Sequence, residues 1–191
     1  MYGTYQLDAF LNACAQYTNV RGWQMELMKL RSTSPKKVNL AVRNIAQHLG
    51  LDANEAILLK FNHPKKFDPE LQNCFFNVWV QMLYAGGDKQ HGWLIAQDSS
   101  RDFIEAQFHA VWVNSEGKFT DVTPRADGEK RVMFIPDYVR EIHLSDSDGR
   151  PAIISYDNFR VLQGRALAQL KRIKIVTQDT RFIEKYGLFR S

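Results

Sequence analysis

A change of period at Gly86-Gly87 constrains this chain more than any other feature of its sequence. Before it, Phe75, Val78, Trp79, Met82 and Leu83 recur at the spacing of one helix face. After it, residues 92–96, 103–113 and 119–123 are dense in β-branched and aromatic residues, and Val132–Ile135 adds another such run. A helix this apolar has to be covered, and strands joined by short turns pair antiparallel. The expected fold is therefore α+β, with this helix central and packed on an antiparallel sheet.

The flanks read as helical. Leu7, Phe10, Leu11, Cys14 and Tyr17 follow a possible cap at Thr4, with Cys14 as a small core residue. Ser34-Pro35 offers a second cap, followed by the stripe Val38, Val42, Ile45, Ala46 and Leu49, which ends at Gly50. Asp52-Ala53-Asn54-Glu55 resembles a capping box leading into Ile57, Leu58 and Phe61, and residues 62–69 break the pattern with two prolines. Ser145 to Arg150 is a turn-rich break. Beyond it lie a short strand and one or two helices, the last ending at Gly187. The division expected is an N-terminal helical region over 1–62, a core over 63–150 and a basic C-terminal helical segment over 151–191 packed on that core, one domain overall.

Composition narrows the classes. With 45% hydrophobic and 24% charged residues in 191, the chain is neither disordered nor a disulfide-dense mini-protein. Two cysteines, Cys14 and Cys74, fit a reducing compartment. No run approaches the ~18 apolar residues of a membrane span. Met1 to Gln6 lacks the basic and apolar regions of a secretory signal, so a cytoplasmic location is expected, and delivery as a secreted effector is compatible with it. The net charge of +4 is uneven: residues 151–191 hold eight Lys/Arg against three acids, leaving 1–150 at −1. No nucleic-acid motif accompanies these charges, so a solvated helix face is the simpler reading.

Three residues invite chemistry: Cys74, His109 and Asp121. An ordinary thiol is mostly protonated at neutral pH and needs a helix N-terminus or an imidazolium to become a nucleophile. Cys74 follows Asn73, a good N-cap, at the start of the apolar helix, although Asp68-Pro69 could start that helix earlier. Asn114-Ser115-Glu116-Gly117-Lys118 suits a three-residue hairpin loop with Gly117 left-handed. Opposed residues then sum to 232, Asp121 faces Val111, and His109 lies two positions along on the same strand face. Glu105 shares that parity and reads as an exposed strand carboxylate.

This order, cysteine at a helix start, histidine on one strand and aspartate on the next, resembles the papain-like fold in its transglutaminase-like arrangement. The motifs carrying the likeness are His109-Ala110-Val111-Trp112 and Asp121-Val122-Thr123-Pro124, beside a His-Ala-Trp and Asp-Pro-Thr pattern. The likeness covers residues 70–125. The chain also resembles a group of uncharacterised bacterial proteins with Asn73-Cys74-Phe75, Gly92-Trp93, Glu105-Ala106, His109 to Trp112 and Asp121 to Pro124 in this order. The first resemblance implies a Cys74–His109–Asp121 triad for acyl transfer at a carboxamide or ester. Phe75 stands where such enzymes usually have tryptophan, and the nearest upstream glutamine, Gln72, lies only two residues before the cysteine. An oxyanion would be held by the Cys74 backbone N–H with Gln72, Asn73 or Trp93.

The activity these residues imply is a protein glutamine deamidase or amidohydrolase, with a protease or transglutaminase within the same class. The partner expected is a protein or peptide carboxamide, with no cofactor, no metal and no membrane. One thiolate without a second close ligand pair argues against zinc. The rival from another class is a non-catalytic binding module presenting the basic 151–191 region to nucleic acid or an acidic protein. His63 and His91 read as loop histidines, and Trp93, Trp112 and Phe76 as packing residues.

Overall fold

The computed structural model describes residues 32–177 and 179–188. The expected helix over residues 7–17, with Cys14, lies outside them. The described chain is α+β, with helices and antiparallel sheets. Its elements are α1 (Leu40–Leu49), a 3-10 turn (Ala53–Glu55), β1 (Ile57–Lys60), α2 (Cys74–Ala85), β2 (Asp88–Asp98), β3 (Phe103–Val113), β4 (Phe119–Thr120) and β5 (Arg131–Pro136). Then follow β6 (His143–Ser147), β7 (Arg150–Tyr156), β8 (Phe159–Leu162), β9 (Arg165–Ala166), β10 (Arg172–Val176) and a short α3 (Arg181–Lys185). No helix among the described residues is long and apolar enough to cross a membrane.

The main sheet runs β1-β5-β2-β3-β8-β9, with β4 also on β3, and a second sheet runs β10-β7-β6. The main sheet curls until the chain after β1 meets the chain after β4. Phe61 bridges Asp121 in parallel, and the Asn62 N–H donates to the Asp121 carbonyl at 2.9 Å. Leu59, Leu94, Val111, Val132 and Phe134 fill the inside of this curl. Both longer helices cover its other face. Val42, Ile45, Ala46 and Leu49 of α1 pack on Trp93, Ile95, Ile104 and Ala106. Phe75, Phe76, Val78 and Val80 of α2 pack on Ala110 and Val122.

Several local expectations meet their elements. Gly50 ends α1 in the left-handed conformation (φ 70°), where its lack of a Cβ removes the penalty. The 103–113 strand has the expected ends, and β4 pairs Trp112 with Thr120 and Val113 with Phe119, the register in which partners sum to 232. Gly117 sits at φ 77°, the Asn114 N–H donates to the Lys118 carbonyl, and Asn114 Oδ1 accepts from the Glu116 and Lys118 N–H groups.

Others are corrected. Ser34-Pro35 does not cap α1: Asn39 does, its side chain accepting from the Val42 N–H, while the Ser34 hydroxyl ties β2 to β5 through Ile95 and Met133. Asp52–Glu55 makes only one 3-10 turn, because Ile57–Lys60 pairs with β5 and buries Leu59. Leu83 is 61% exposed and leaves the core stripe of α2. The C-terminal segment is mainly strands, not helices. Asp148 and Gly149, both at positive φ, form the two-residue turn of a β6–β7 hairpin, and Arg172–Val176 alternates polar and β-branched residues on the edge of the small sheet. Its basic residues Arg165, Arg172 and Lys174 are exposed on strands, not on a helix face.

Candidate active site

The helix begins at Cys74 itself, not at Asp68-Pro69. This puts the cysteine in the first turn, where backbone N–H groups have no intrahelical partner and the helix field favours an anion. Asn73 occupies the cap position, but its side chain makes no cap bond and donates to Glu70 Oε2 at 2.8 Å. A different asparagine holds this entry. Asn77 is fully buried on α2, accepts from the Glu70 N–H at 2.9 Å, and donates to the Glu70 carbonyl at 2.7 Å and to Thr123 Oγ1 at 3.3 Å. Thr123 in turn donates its N–H to Asp121 Oδ1 at 3.0 Å. One side chain thus clamps the loop before the thiol to the loop carrying the carboxylate. The signal for it was in the sequence: a lone amide amid Phe75, Phe76, Val78 and Val80 needs buried partners.

The histidine arrives from β3. One edge of that strand pairs with β8 over Phe103–Ala106 and with β4 over Trp112–Val113. The stretch between those partners meets the start of α2, where the Ala110 N–H donates to the Cys74 sulfur. On β2, Gly92 stands directly across from His109. A Cβ at Gly92 would lie 2.3 Å from the Ile135 carbonyl oxygen and 2.4 Å from the Phe134 ring, so only glycine allows β5 this close.

His109 and Asp121 meet as the hairpin register requires. Nε2 of His109 lies 3.1 Å from Asp121 Oδ1, with Asp121 fully buried and His109 nearly so. Nε2 being engaged, Nδ1 is the ring nitrogen that serves the thiol, and a His109–Cys74 hydrogen bond completes the row. Burial opposes charge on the ring, but the negative charges of Asp121 and Cys74 and the hydrogen bonds to both outweigh it, lifting the His109 pKa to about 10. For Cys74 burial again opposes ionisation. The His109 charge, its hydrogen bond and the Ala110 N–H overcome it and lower the thiol pKa. The two shifts describe one event: a proton held on the imidazole and a negative charge on sulfur. Cys74 as a residue is half-buried. No group of three or more potential metal ligands occurs among the described residues.

Of the oxyanion candidates, Gln72 is exposed, strained at φ 60°, and directs its N–H toward the Pro124 carbonyl at 3.5 Å. Asn73 adjoins the thiol and keeps a second amide hydrogen beyond its bond to Glu70. Trp93 is ruled out as a donor. It is fully buried in the cluster under α1, and its indole N–H is given to Asp137 Oδ2 at 2.9 Å. Glu105 is not an exposed carboxylate: it is ion-paired with Arg160 at 2.6 Å and accepts from Gln107 and Asn158. His91 is no loop residue either. It is buried on β2 against the Phe108 ring.

Compared with known proteins, the chain matches no family model, no curated protein and no solved structure.

Proposed function

We propose that this chain is a papain-like, transglutaminase-like thiol enzyme that transfers the acyl group of a protein or peptide carboxamide to water, as a glutamine deamidase or amidohydrolase does. The observation that carries the reading is the row Cys74–His109–Asp121, with the thiol at a helix start and the His109–Asp121 contact at 3.1 Å. A structural thiol has no need of a buried imidazole–carboxylate pair, which is costly to desolvate. In the proposed cycle the Cys74 thiolate attacks the carbonyl carbon, and a C–S bond forms. The oxyanion is met by the first N–H groups of α2 and, as candidate, the Asn73 amide. As the C–N bond breaks, His109 gives its proton to the departing ammonia. Water then attacks the thioester with His109 taking its proton, sulfur leaves, and the carboxylic acid is released. Asp121 fixes the ring and stabilises its charged form throughout.

Alkylation of Cys74 by iodoacetamide at pH 6, followed by peptide mapping, tests the reading, because a free thiol of pKa ~8.5 is only about 0.3% ionised there. Wild type should label at Cys74 far faster than at Cys14. His109→Ala and Asp121→Asn should each slow it by about tenfold or more with the fold intact by thermal melt. Ammonia release from an N-blocked glutaminyl dipeptide should disappear in Cys74→Ala. An ordinary alkylation rate that neither substitution changes refutes the triad. A phenotype tied instead to Arg165, Arg172 and Lys174, with salt-dependent RNA or DNA binding, would establish the binding-module alternative.

A further inference from the structure

His91 is a buried titratable group that the proposed cycle does not use. Its ring is 4% exposed on β2, stacked against Phe108 with centroids 6.0 Å apart, and its Nε2 has no hydrogen-bond partner among the described residues. A proton added there would be a buried charge without an acceptor, so the closed packing favours the neutral ring. The segment after β5 is rooted beside it. The Asp137 N–H donates to the His91 carbonyl at 2.9 Å, and the buried Asp137 carboxylate accepts from Trp93, Val139 and Arg140. Farther along, Ile142 enters the apolar cluster of α2, and residues 141–144 border a cleft of about 290 Å³ beside that helix. Lys89 and Ala110 border it too. Lys89 lies two residues from His91 on the same strand face, and Ala110 is the partner of His91 on β3, so the ring shares the sheet face that floors the cleft.

The charges acting on the ring come from β2 and from this segment. Lys89 and His143 oppose a further proton, while Glu141 and Asp137 favour it; Phe108 and Ala110 on β3 are uncharged, and α2 carries no charged side chain. Asp137 is already engaged by its own donors and Glu141 is exposed, so neither carboxylate receives a proton from His91 in the closed form. We propose that His91 is an acid-operated latch: when its ring takes a proton, the 141–144 stretch lifts from β2 while Asp137 stays rooted, and the cleft beside α2 opens. Cys74 has no part in this step. The pKa of the closed ring is about 4 and that of a released one is the ordinary ~6.5, so opening becomes about thirtyfold more favourable at pH 5 than at pH 7.5.

Native-state hydrogen exchange of the whole protein, read by mass spectrometry with rates corrected for the intrinsic effect of pH, tests the latch. Amides of residues 141–147 should lose about thirtyfold in protection between pH 7.5 and pH 5. Low concentrations of urea should leave their exchange unchanged, because a local opening exposes little surface. Amides of α1 should stay better protected and should respond to urea, the mark of global unfolding. His91→Leu and His91→Gln, one apolar and one polar and neither able to titrate, should each remove the pH dependence of the 141–147 stretch. The second variant guards against a folding defect in the first. Exchange in 141–147 that tracks α1 at every pH and urea concentration overturns the latch, since His91 would then titrate only with global unfolding. Protection that does not change with pH overturns it too, as does a pH dependence that survives in both variants.

Discussion

Asn77→Ala should damage both stability and thiol reactivity, and its size follows from the bonds it removes. Asn77 is fully buried and makes three hydrogen bonds, two to the backbone of Glu70 and one to Thr123. Thr123 Oγ1 can rotate to another partner, so its loss weighs little. The Glu70 N–H has no such freedom, while the carbonyl keeps a long bond from the Asn73 N–H at 3.5 Å, and a buried group left unpaired costs about 1–3 kcal/mol. Partial wetting of the Glu70 loop offsets some of this, leaving about 2 kcal/mol, a sizeable part of a typical ~5–15 kcal/mol domain stability. Urea unfolding should show a lower midpoint at unchanged slope. Thr123→Val, which removes only the third bond, should cost under about 1 kcal/mol. Because the freed loop no longer fixes Cys74 at the first turn of α2, alkylation at pH 6 should also slow in Asn77→Ala, measured well below the unfolding midpoint. A loss below about 1 kcal/mol with unchanged alkylation would refute the clamp.

Three further outcomes follow from the same geometry. Burial, reinforced by Lys89 and His143 against the opposing charges of Glu141 and Asp137, lowers the pKa of His91 to about 4. The unfolded chain takes up this proton near pH 6.5 and the native chain does not, so stability is full above pH 6.5 and falls as the pH drops toward 4, by at most about 3 kcal/mol. Urea titrations across that window should show the loss in wild type and a smaller one in His91→Leu. Gly92→Ala should cost about 2 kcal/mol or more, because the new Cβ meets the Ile135 backbone carbonyl, which cannot yield, as well as the buried Phe134 ring; thermal melts read this directly. Gly117→Val places a β-branched residue at φ 77° with open space around it, so its cost is backbone strain alone, about 1–2 kcal/mol. Should that variant melt like wild type, the left-handed turn would not be what holds the β3–β4 register.

What was legible in the sequence was what neighbouring residues decide among themselves. Gly117 and Asn114 fix their hairpin within five residues, and that register alone brings His109 and Asp121 to one strand face. Gly50 ends α1 for an equally local reason. The misreadings share one cause, a partner distant in sequence. The Asp52–Glu55 cap looked helical because its local signals are helical, yet β5 recruits Ile57–Lys60 into the sheet. Trp93 looked available to the thiol because nothing local shows that α1 and Asp137 enclose it. The C-terminal strands are the exception. Ser145 to Arg150 reads as a turn, but Arg172–Val176, whose alternation is an equally local signal, looked helical where it is a strand.

The same distinction explains how the site is assembled. Cys74 and Asp121 do not meet through neighbouring chain; they are joined by Asn77 and Thr123 on one side and by the ring of His109 on the other. The Asp121 backbone is further pinned by Asn62, at the seam where the curled sheet meets itself. The Asn77–Thr123 and Asn62–Asp121 contacts join segments distant in sequence, whereas Thr123–Asp121 and His109–Asp121 are set within the β3–β4 hairpin and the residues just after it. The thiol's lowered pKa therefore belongs to the closed fold and not to the helix start alone. A peptide containing the helix and its cap would keep the first-turn N–H groups but lose His109 and the Ala110 N–H. Burial is absent in such a peptide as well, so the helix field is the one influence left to displace its cysteine from the ~8.5 of a free thiol.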